Sequence, residues 1–325
     1  MCRFVTLGLI AMLAACEEGE FDEPMTFAGP GGKITVEPEV LEKGRDAYTH
    51  YCRQCHGDEG DGAGPAARGL SPRPRDFRKG EFKFAAVPAG ELPSDADLER
   101  IVRGGLAGTA MLPWDISEEE LHAVVQYIKT FKLGDRDRDG KIKPSKWEKK
   151  KAIGEVIAMA DDPWAGKPLE EALARGKVVY HVKAQCGGCH PFYVTRRELY
   201  ELGTAETGTG TTQLRPDPYL PELKESPAYG RILPPDFTFR VMRSVRPGSE
   251  LADIYRSVAS GIGGTAMPKW KGNLPEEDLW ALVHYVKWLD DLRGTPEAQA
   301  LRARLLGPDN RDVPADPPPP APPAP

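Results

Sequence analysis

The sequence predicts an all-α protein in which one helical domain occurs twice in tandem, with long loops between the helices. Three observations carry this prediction. The pentapeptide Cys-x-x-Cys-His occurs at residues 52–56 and again at 186–190. The tetrapeptide Gly-Thr-Ala-Met follows each copy, at 108–111 and 264–267. A stretch with apolar residues at i, i+3, i+4 and i+7 then follows each tetrapeptide, as in a helix that buries one face.

The composition is that of a soluble globular protein rather than a disordered chain or a polytopic membrane protein. Of the 325 residues, 40% are hydrophobic and 28% are charged. The net charge is −6 and the chain has no long basic tract, so nucleic acid is not expected as a partner. The many prolines and glycines, 32 and 34, favour loops over strands.

The first residues predict export. Residues 1–15 form a predicted signal peptide, in which Arg3 precedes an apolar run too short to span a bilayer. The run ends Leu-Ala-Ala-Cys, which resembles a bacterial lipoprotein signal with Cys16 as the lipidated residue. We therefore expect a lipid anchor on the periplasmic side of a bacterial membrane; the alternative is a secretory signal with an incidental cysteine. Residues 16–38 are predicted to be a flexible tether.

The paired cysteines predict covalently bound haem. Cys-x-x-Cys-His is the attachment motif of c-type haem, in which two thiols form thioethers and the histidine ligates the iron. A structural zinc site would need four clustered ligands, and a thioredoxin-like site would need a βαβ context. A disulfide within each motif remains the alternative. We predict two haem c groups, held by Cys52, Cys55 and His56 and by Cys186, Cys189 and His190.

The repeat extends beyond these motifs. Gly44 and Tyr48 precede the first motif, and Gly176 and Tyr180 precede the second, each pair on one helix face. This plan resembles the class I cytochrome c family in duplicate, and predicts cytochrome c domains at 39–134 and 168–292. The resemblance implies that the first and last helices of each domain cross beside the haem at the small glycine.

The resemblance also implies Met111 and Met267 as the second axial ligands of the two irons. Only these methionines recur in a shared motif. A methionine at such a place can also be core filler. A bis-histidine iron is the other alternative, with the remaining histidines as candidates: His50, His122, His181 and His284. With His56, Met111, His190 and Met267 as ligands, both irons are six-coordinate, which favours electron transfer.

Several other segments carry predictions. Residues 135–167 are predicted to be an interdomain linker. Its Asp135, Asp137 and Asp139 match the first half of a calcium loop, although Lys146 stands where a glutamate is expected. The basic stretch 68–83 suggests contact with haem carboxylates, docking to an acidic partner or a solvated loop. Residues 191–232 are predicted to be an inserted loop, and residues 293–325 a helix end and a Pro-rich disordered tail.

These features predict a dihaem cytochrome that carries single electrons between redox protein partners in a periplasmic or membrane-surface respiratory chain. We predict an electron-transfer protein that is not an enzyme. The alternatives are a dihaem peroxidase, which needs one accessible haem face, and a dihaem dehydrogenase acting on a small anion.

Overall fold

The computed structural model describes residues 20–210 and 214–311, and the predicted all-α architecture is confirmed. The helices are α1 Pro38–Tyr51, α2 Arg53–His56, α3 Asp95–Gly104, α4 Glu118–Ile128, α5 Lys146–Lys149, α6 Leu169–Val178, α7 Arg196–Thr207, α8 Glu250–Ser260, α9 Glu276–Asp291 and α10 Pro296–Leu306. A π-helical turn, Val179–Lys183, extends α6. The signal peptide, Cys16 and the Pro-rich tail lie outside the described residues.

Each domain is built on a pair of crossed helices. In the first domain α1 packs across α4, and in the second α6 packs across α9. The tyrosines on the facing surfaces meet in the same way: the rings of Tyr48 and Tyr127 lie 5.4 Å apart, and those of Tyr180 and Tyr285 lie 5.6 Å apart. The duplicated plan of the sequence is therefore a duplicated packing arrangement.

Part of the predicted flexible tether is ordered. Strands β1 Met25–Gly29 and β2 Gly32–Val36 form an antiparallel hairpin that pairs Met25 with Val36. Phe27 and Ala28 are fully buried in the core of the first domain. The hairpin closes at Pro30 and Gly31, and the positive φ of Gly31 suits a tight turn. Burial of Phe27 and Ala28 there offsets the conformational entropy lost when this short segment is ordered.

The predicted linker packs on the first domain instead of running free. Trp147 on α5 is 1% exposed and belongs to the first-domain core. Further along, Ile153 N–H donates to the carbonyl of Gly29, and Ile157 N–H donates to that of Ala86. The linker is thus tied to the first domain over much of its length.

The predicted calcium site is not formed. In the described chain, 20–210 and 214–311, no group of three or more His, Cys, Asp or Glu side chains is placed to hold a metal ion. The Asp137 carboxylate instead accepts hydrogen bonds from the backbone N–H groups of Asp139 and Lys141, both at 2.9 Å. Asp135, Asp137 and Asp139 therefore shape a turn, which the acidic pattern cannot distinguish from an ion loop.

The inserted region of the second domain has structure of its own. It contains α7 and a small hairpin of β3 Lys224–Ser226 and β4 Gly230–Ile232. Beyond α9, α10 lies along the second domain, with Leu305 buried.

No helix among the described residues is long and apolar enough to cross a membrane.

Candidate functional site

The two motif histidines are oriented by backbone carbonyls. His56 Nδ1 lies 3.0 Å from the carbonyl oxygen of Arg75, and His190 Nδ1 lies 2.9 Å from that of Pro235. With Nδ1 donating to a carbonyl, the neutral ring keeps its lone pair on Nε2, which is the arrangement a metal-ligating imidazole needs. Burial lowers the pKa of both histidines, which favours this neutral form.

An aromatic ring supports each imidazole. Phe77 stacks on His56 with ring centroids 4.5 Å apart, and Phe237 stacks on His190 at 4.9 Å. These phenylalanines end the two Pro-x-Asp-Phe segments, 74–77 and 234–237. This repeated segment acts in the same way in both domains. The structure shows that its second residue holds the histidine through its carbonyl and its fourth packs on the ring.

A tyrosine on each first helix anchors the turn after the histidine. Tyr48 donates its hydroxyl hydrogen to the carbonyl of Gly57 at 2.7 Å, and Tyr180 donates to that of Pro191 at 2.9 Å. The chain can therefore replace glycine with proline after the second histidine without losing this bond. The two tyrosines tie the crossed helices to the motif.

An arginine side chain gives the second site an additional support. Arg215, in the inserted region, donates hydrogen bonds to the carbonyls of Gly187 at 2.9 Å and His190 at 3.0 Å. It also reaches the carbonyl of Pro218 at 3.2 Å. One planar guanidinium thus fixes the backbone on both sides of Cys189.

The motif cysteines form no disulfide bond among the described residues. Cys52, Cys55, Cys186 and Cys189 are all half-buried and unpaired in the described chain, so neither motif holds an internal disulfide. Burial raises the pKa of Cys52 and of Cys186 to about 12. Neutral thiols beside an imidazole with a free Nε2 match the donor set that c-type haem requires, and four free cysteines with two oriented histidines therefore fit two such groups.

The two predicted methionines lie in loops with the same hydrogen-bond pattern. Leu106 N–H donates to the Met111 carbonyl at 2.8 Å, and Ile262 N–H donates to that of Met267 at 3.3 Å. Each loop begins at a glycine with positive φ, Gly105 and Gly261. A threonine hydroxyl then caps each turn and accepts the methionine N–H, at 3.1 Å in the first domain and 3.2 Å in the second.

Each methionine loop is brought to the element that carries the cysteines. Met267 packs on the same second-domain core as Cys186. In the first domain, Trp114 contacts Tyr51, the residue before Cys52, with ring centroids 5.5 Å apart. Met267 and Cys186 therefore pack on one core, and in the first domain the residues that flank Met111 and Cys52 are joined through Trp114 and Tyr51.

The remaining histidines have other surroundings. His50 and His122 are exposed on α1 and α4. His284 Nε2 lies 2.7 Å from an Asp162 carboxylate oxygen on the linker. His181 is buried, and its Nε2 lies 3.2 Å from the Tyr285 hydroxyl oxygen.

Comparisons with known proteins agree with this architecture. A family model described as cytochrome c oxidase, cbb3-type, subunit III matches the chain twice, over residues 39–128 and 171–286. Among solved structures, a chain of the Kuenenia stuttgartiensis reducing HAO-like protein complex is similar, with a TM-score of 0.55 and 30% identity. That similarity covers 79% of this chain and 99% of the other. No curated protein matches.

The structural similarity contradicts one prediction. We expected an electron-transfer protein that is not an enzyme, whereas the matched chain is a component of a reducing HAO-like complex. The prediction rests on the expectation that protein atoms fill both coordination positions of each iron. That expectation concerns one chain by itself, and it does not exclude that the chain takes part in an enzymatic reaction as a subunit of a complex.

The other comparison concerns family and cofactor. Cytochrome c domains bind haem covalently through the motif seen here twice, and they serve electron transfer. The duplicated match spans both crossed-helix domains and both Cys-x-x-Cys-His motifs. The chain belongs to the family described as cytochrome c oxidase, cbb3-type, subunit III, as a tandem of two class I cytochrome c domains.

Proposed function

We propose that this protein is a dihaem cytochrome that passes single electrons as a subunit of a redox complex at the periplasmic face of a bacterial membrane. The observation that carries the proposal is the duplicated histidine environment. In both domains the motif imidazole donates Nδ1–H to a backbone carbonyl, stacks on a phenylalanine and leaves Nε2 free.

The residues of each domain have separate roles. Cys52 and Cys55 would hold the first haem, and Cys186 and Cys189 would hold the second, through their sulfur atoms. His56 and His190 would each hold the iron of one group through a ring nitrogen, and Met111 and Met267 would each hold it through the thioether sulfur. The bound group supplies the one-electron redox couple, and methionine–histidine ligation raises its potential.

The protein around each site limits the movement of the histidine ring when the iron changes oxidation state. The carbonyls of Arg75 and Pro235 keep their imidazoles in one orientation, and the rings of Phe77 and Phe237 prevent tilting. Rigid ligands that stay in place in both oxidation states suit repeated electron transfer.

The similarity to a chain of a reducing HAO-like complex supports a role within an assembly. The exposed cations of the loop 68–83, which are Arg68, Arg73 and Lys79, would face an acidic donor or acceptor. Cys16, once lipidated, would keep the protein at the membrane surface. The partners are therefore redox proteins held at or near that surface.

A redox titration combined with a haem count tests the proposal. We expect two haems per chain in a pyridine haemochrome assay and two one-electron steps, both with ferric spectra showing methionine-to-iron charge transfer. Co-purification from membranes with other redox subunits is expected, and Cys16→Ser should release the protein from the membrane fraction.

Opposite results would identify the rival functions. One haem with a five-coordinate spectrum, together with peroxide turnover by the pure protein, would replace the proposal with a dihaem peroxidase. Direct reduction of the haems by a small anion in the absence of partners would favour the dehydrogenase.

A further inference from the structure

In both motifs the carbonyls of the second cysteine and of the histidine accept hydrogen bonds, but the donors differ. In the first domain, Gly62 N–H donates to the His56 carbonyl at 2.9 Å, and Gly64 N–H donates to that of Cys55 at 3.2 Å. Both donors belong to the glycine-rich turn 57–64, which directly follows the histidine. Neutral backbone N–H groups therefore hold the first motif.

The inserted region supplies the donors for the second motif. There the histidine is followed by Pro-Phe-Tyr-Val, at 191–194, instead of a glycine-rich turn. Glu222 N–H donates to the Cys189 carbonyl at 2.8 Å, and Arg215 donates to the His190 carbonyl at 3.0 Å. A charged side chain thus takes the place of a neutral N–H group at the histidine carbonyl.

The Arg215 guanidinium joins the motif to the inserted region. Besides its bonds to Gly187 and His190, it donates to the carbonyl of Pro218 at 3.2 Å and to that of Leu220. A planar guanidinium directs several N–H groups at fixed angles, whereas an ammonium group on a flexible stem does not. The position of the second motif therefore depends on the shape of this side chain as well as on its charge.

The charge of Arg215 is not cancelled by its partners. Its acceptors are neutral carbonyls, and the side chain is half-buried. In the described chain it has no carboxylate partner, and Glu222 of the same region pairs with Lys224 at 2.6 Å. The second motif therefore lies beside a full positive charge.

The acid on the other side of the histidine is already engaged. Asp236 follows Pro235, whose carbonyl holds His190. Its carboxylate accepts a hydrogen bond from the Tyr193 hydroxyl at 3.1 Å and lies 3.7 Å from Arg302. It therefore has its own cation and does not neutralise the charge of Arg215.

A fixed cation at this position favours the reduced state of the second site. An electron added there removes one positive charge from the neighbourhood of Arg215, so the repulsion between the two becomes smaller. Salt screens half-buried charges less than exposed ones. No bond in the protein forms or breaks in this step.

We propose that Arg215 is a positioning residue of the second site and that its charge raises the reduction potential of the group held by Cys186, Cys189 and His190. This inference rests on the proposed function, because it needs a one-electron couple at that site.

Redox titration of the full-length holoprotein with Arg215→Gln and Arg215→Lys separates the charge from the shape. Glutamine removes the charge, so the one-electron reduction constant of one haem should fall about tenfold (59 mV). The constant of the other haem should stay within about twofold of wild type. Lysine keeps the charge but not the planar set of donors, so both constants should stay within about twofold. Both variants should unfold at a lower denaturant concentration than wild type, because both lose the hydrogen bonds that position the motif.

Arg231→Gln is the matched control, because it removes the same charge from β4 of the same inserted region. The Arg231 side chain is 70% exposed and lies 3.7 Å from Glu225, so both constants should stay within about twofold of wild type.

The role of Arg215 is overturned if Arg215→Gln leaves both constants unchanged, or if Arg215→Lys lowers a constant as much as Arg215→Gln does. The lysine variant decides alone if the glutamine variant does not fold. A haem count of two in the wild type would show that this failure leaves the proposed function intact, whereas a count of one would contradict the proposed function itself.

Discussion

The α-carbon of Gly44 lies directly against the backbone of Ala123, where α1 crosses α4. A Cβ added at Gly44 would overlap the Ala123 carbonyl oxygen and lie 2.8 Å from its carbonyl carbon. Gly176 meets Ala281 in the same way in the second domain, again with 2.8 Å to the carbonyl carbon. Each domain therefore has one position at which any side chain pushes the crossed helices apart.

Gly44→Ala and Gly176→Ala should each destabilise the protein by about 2–3 kcal/mol, because the helix backbone rather than a flexible side chain must move. Denaturant unfolding of the holoprotein measures this. Gly32→Ala is the control, since Gly32 has no heavy atom within 4 Å of its added Cβ and no positive φ. Equal effects at Gly32 and Gly44 would contradict the close helix contact.

Sequence reasoning finds what side-chain identity and spacing encode. The sequence predicts the roles of Gly44 and Tyr48 and of the cysteines and His56, because those roles depend on the type of side chain. The sequence does not predict that the Arg75 carbonyl accepts a hydrogen bond from His56, since every residue has a backbone carbonyl. The hydrogen bond from Gly263 N–H to the Lys83 carbonyl is not predicted either, because it joins two loops remote in sequence through backbone atoms. The hairpin holding Phe27 escapes prediction because its apolar segment is short and lies among prolines and glycines.

Met111→Leu should remove the methionine-to-iron charge-transfer absorption of one haem and lower its potential, while the other haem keeps both properties. The thioether favours the reduced iron, and axial ligands set potentials over a range of about 0.8 V. Spectroelectrochemistry of the ferric and ferrous protein measures both quantities. Met267→Leu should do the same for the other haem.

Met242→Leu is the control for this pair, because Met242 packs on the second-domain core without a counterpart in the first. It should leave both spectra unchanged. An unaltered charge-transfer band in Met111→Leu would instead favour a bis-histidine iron at the first site.

Asp253→Asn should destabilise the holoprotein by about 3 kcal/mol, because it leaves the charges of Arg246, Arg256 and Arg100 without their shared carboxylate. Differential scanning calorimetry would show a lower melting temperature. We also expect the two domains to unfold less cooperatively, since Arg100 reaches this carboxylate from the other domain.

Asp291→Asn is the matched control for a surface pair. Asp291 lies 2.6 Å from Lys287, but 58% of its side chain is exposed, so the loss should stay below about 1 kcal/mol. A similar loss in both variants would mean that the buried network contributes nothing beyond an ordinary surface pair.

Calcium should leave the melting temperature unchanged, because Asp137 is already engaged by backbone N–H groups and the acidic turn forms without a metal. Calorimetry of chelator-treated protein with and without calcium measures this. A rise in melting temperature that Asp137→Asn abolishes would show that the turn rearranges into a metal site.

His181 should make the protein less stable as the pH falls below neutrality. Burial, and then the nearby charge of Lys177, lowers its pKa to about 3 in the folded protein. In the unfolded chain its pKa is about 6.5. Between these values the unfolded state binds one proton more, so the free energy of unfolding falls as pH falls. Its contribution is fully present above about pH 6.5 and falls by about 1.4 kcal/mol per pH unit below it. The described protein offers no partner for its Nδ1, so a proton gained there would be buried without a hydrogen bond.

Denaturant unfolding of the holoprotein between about pH 4.5 and 7.5 tests this against His181→Gln, which keeps a polar group near Tyr285 but does not titrate. The wild type should lose about 2–3 kcal/mol more than the variant over that range. His56 and His190 are common to both proteins, so the difference isolates His181. His122→Gln, at an exposed position of α4, should show the wild-type dependence. If His181→Gln shows it too, the acid sensitivity arises elsewhere and His181 is free to take up a proton without unfolding.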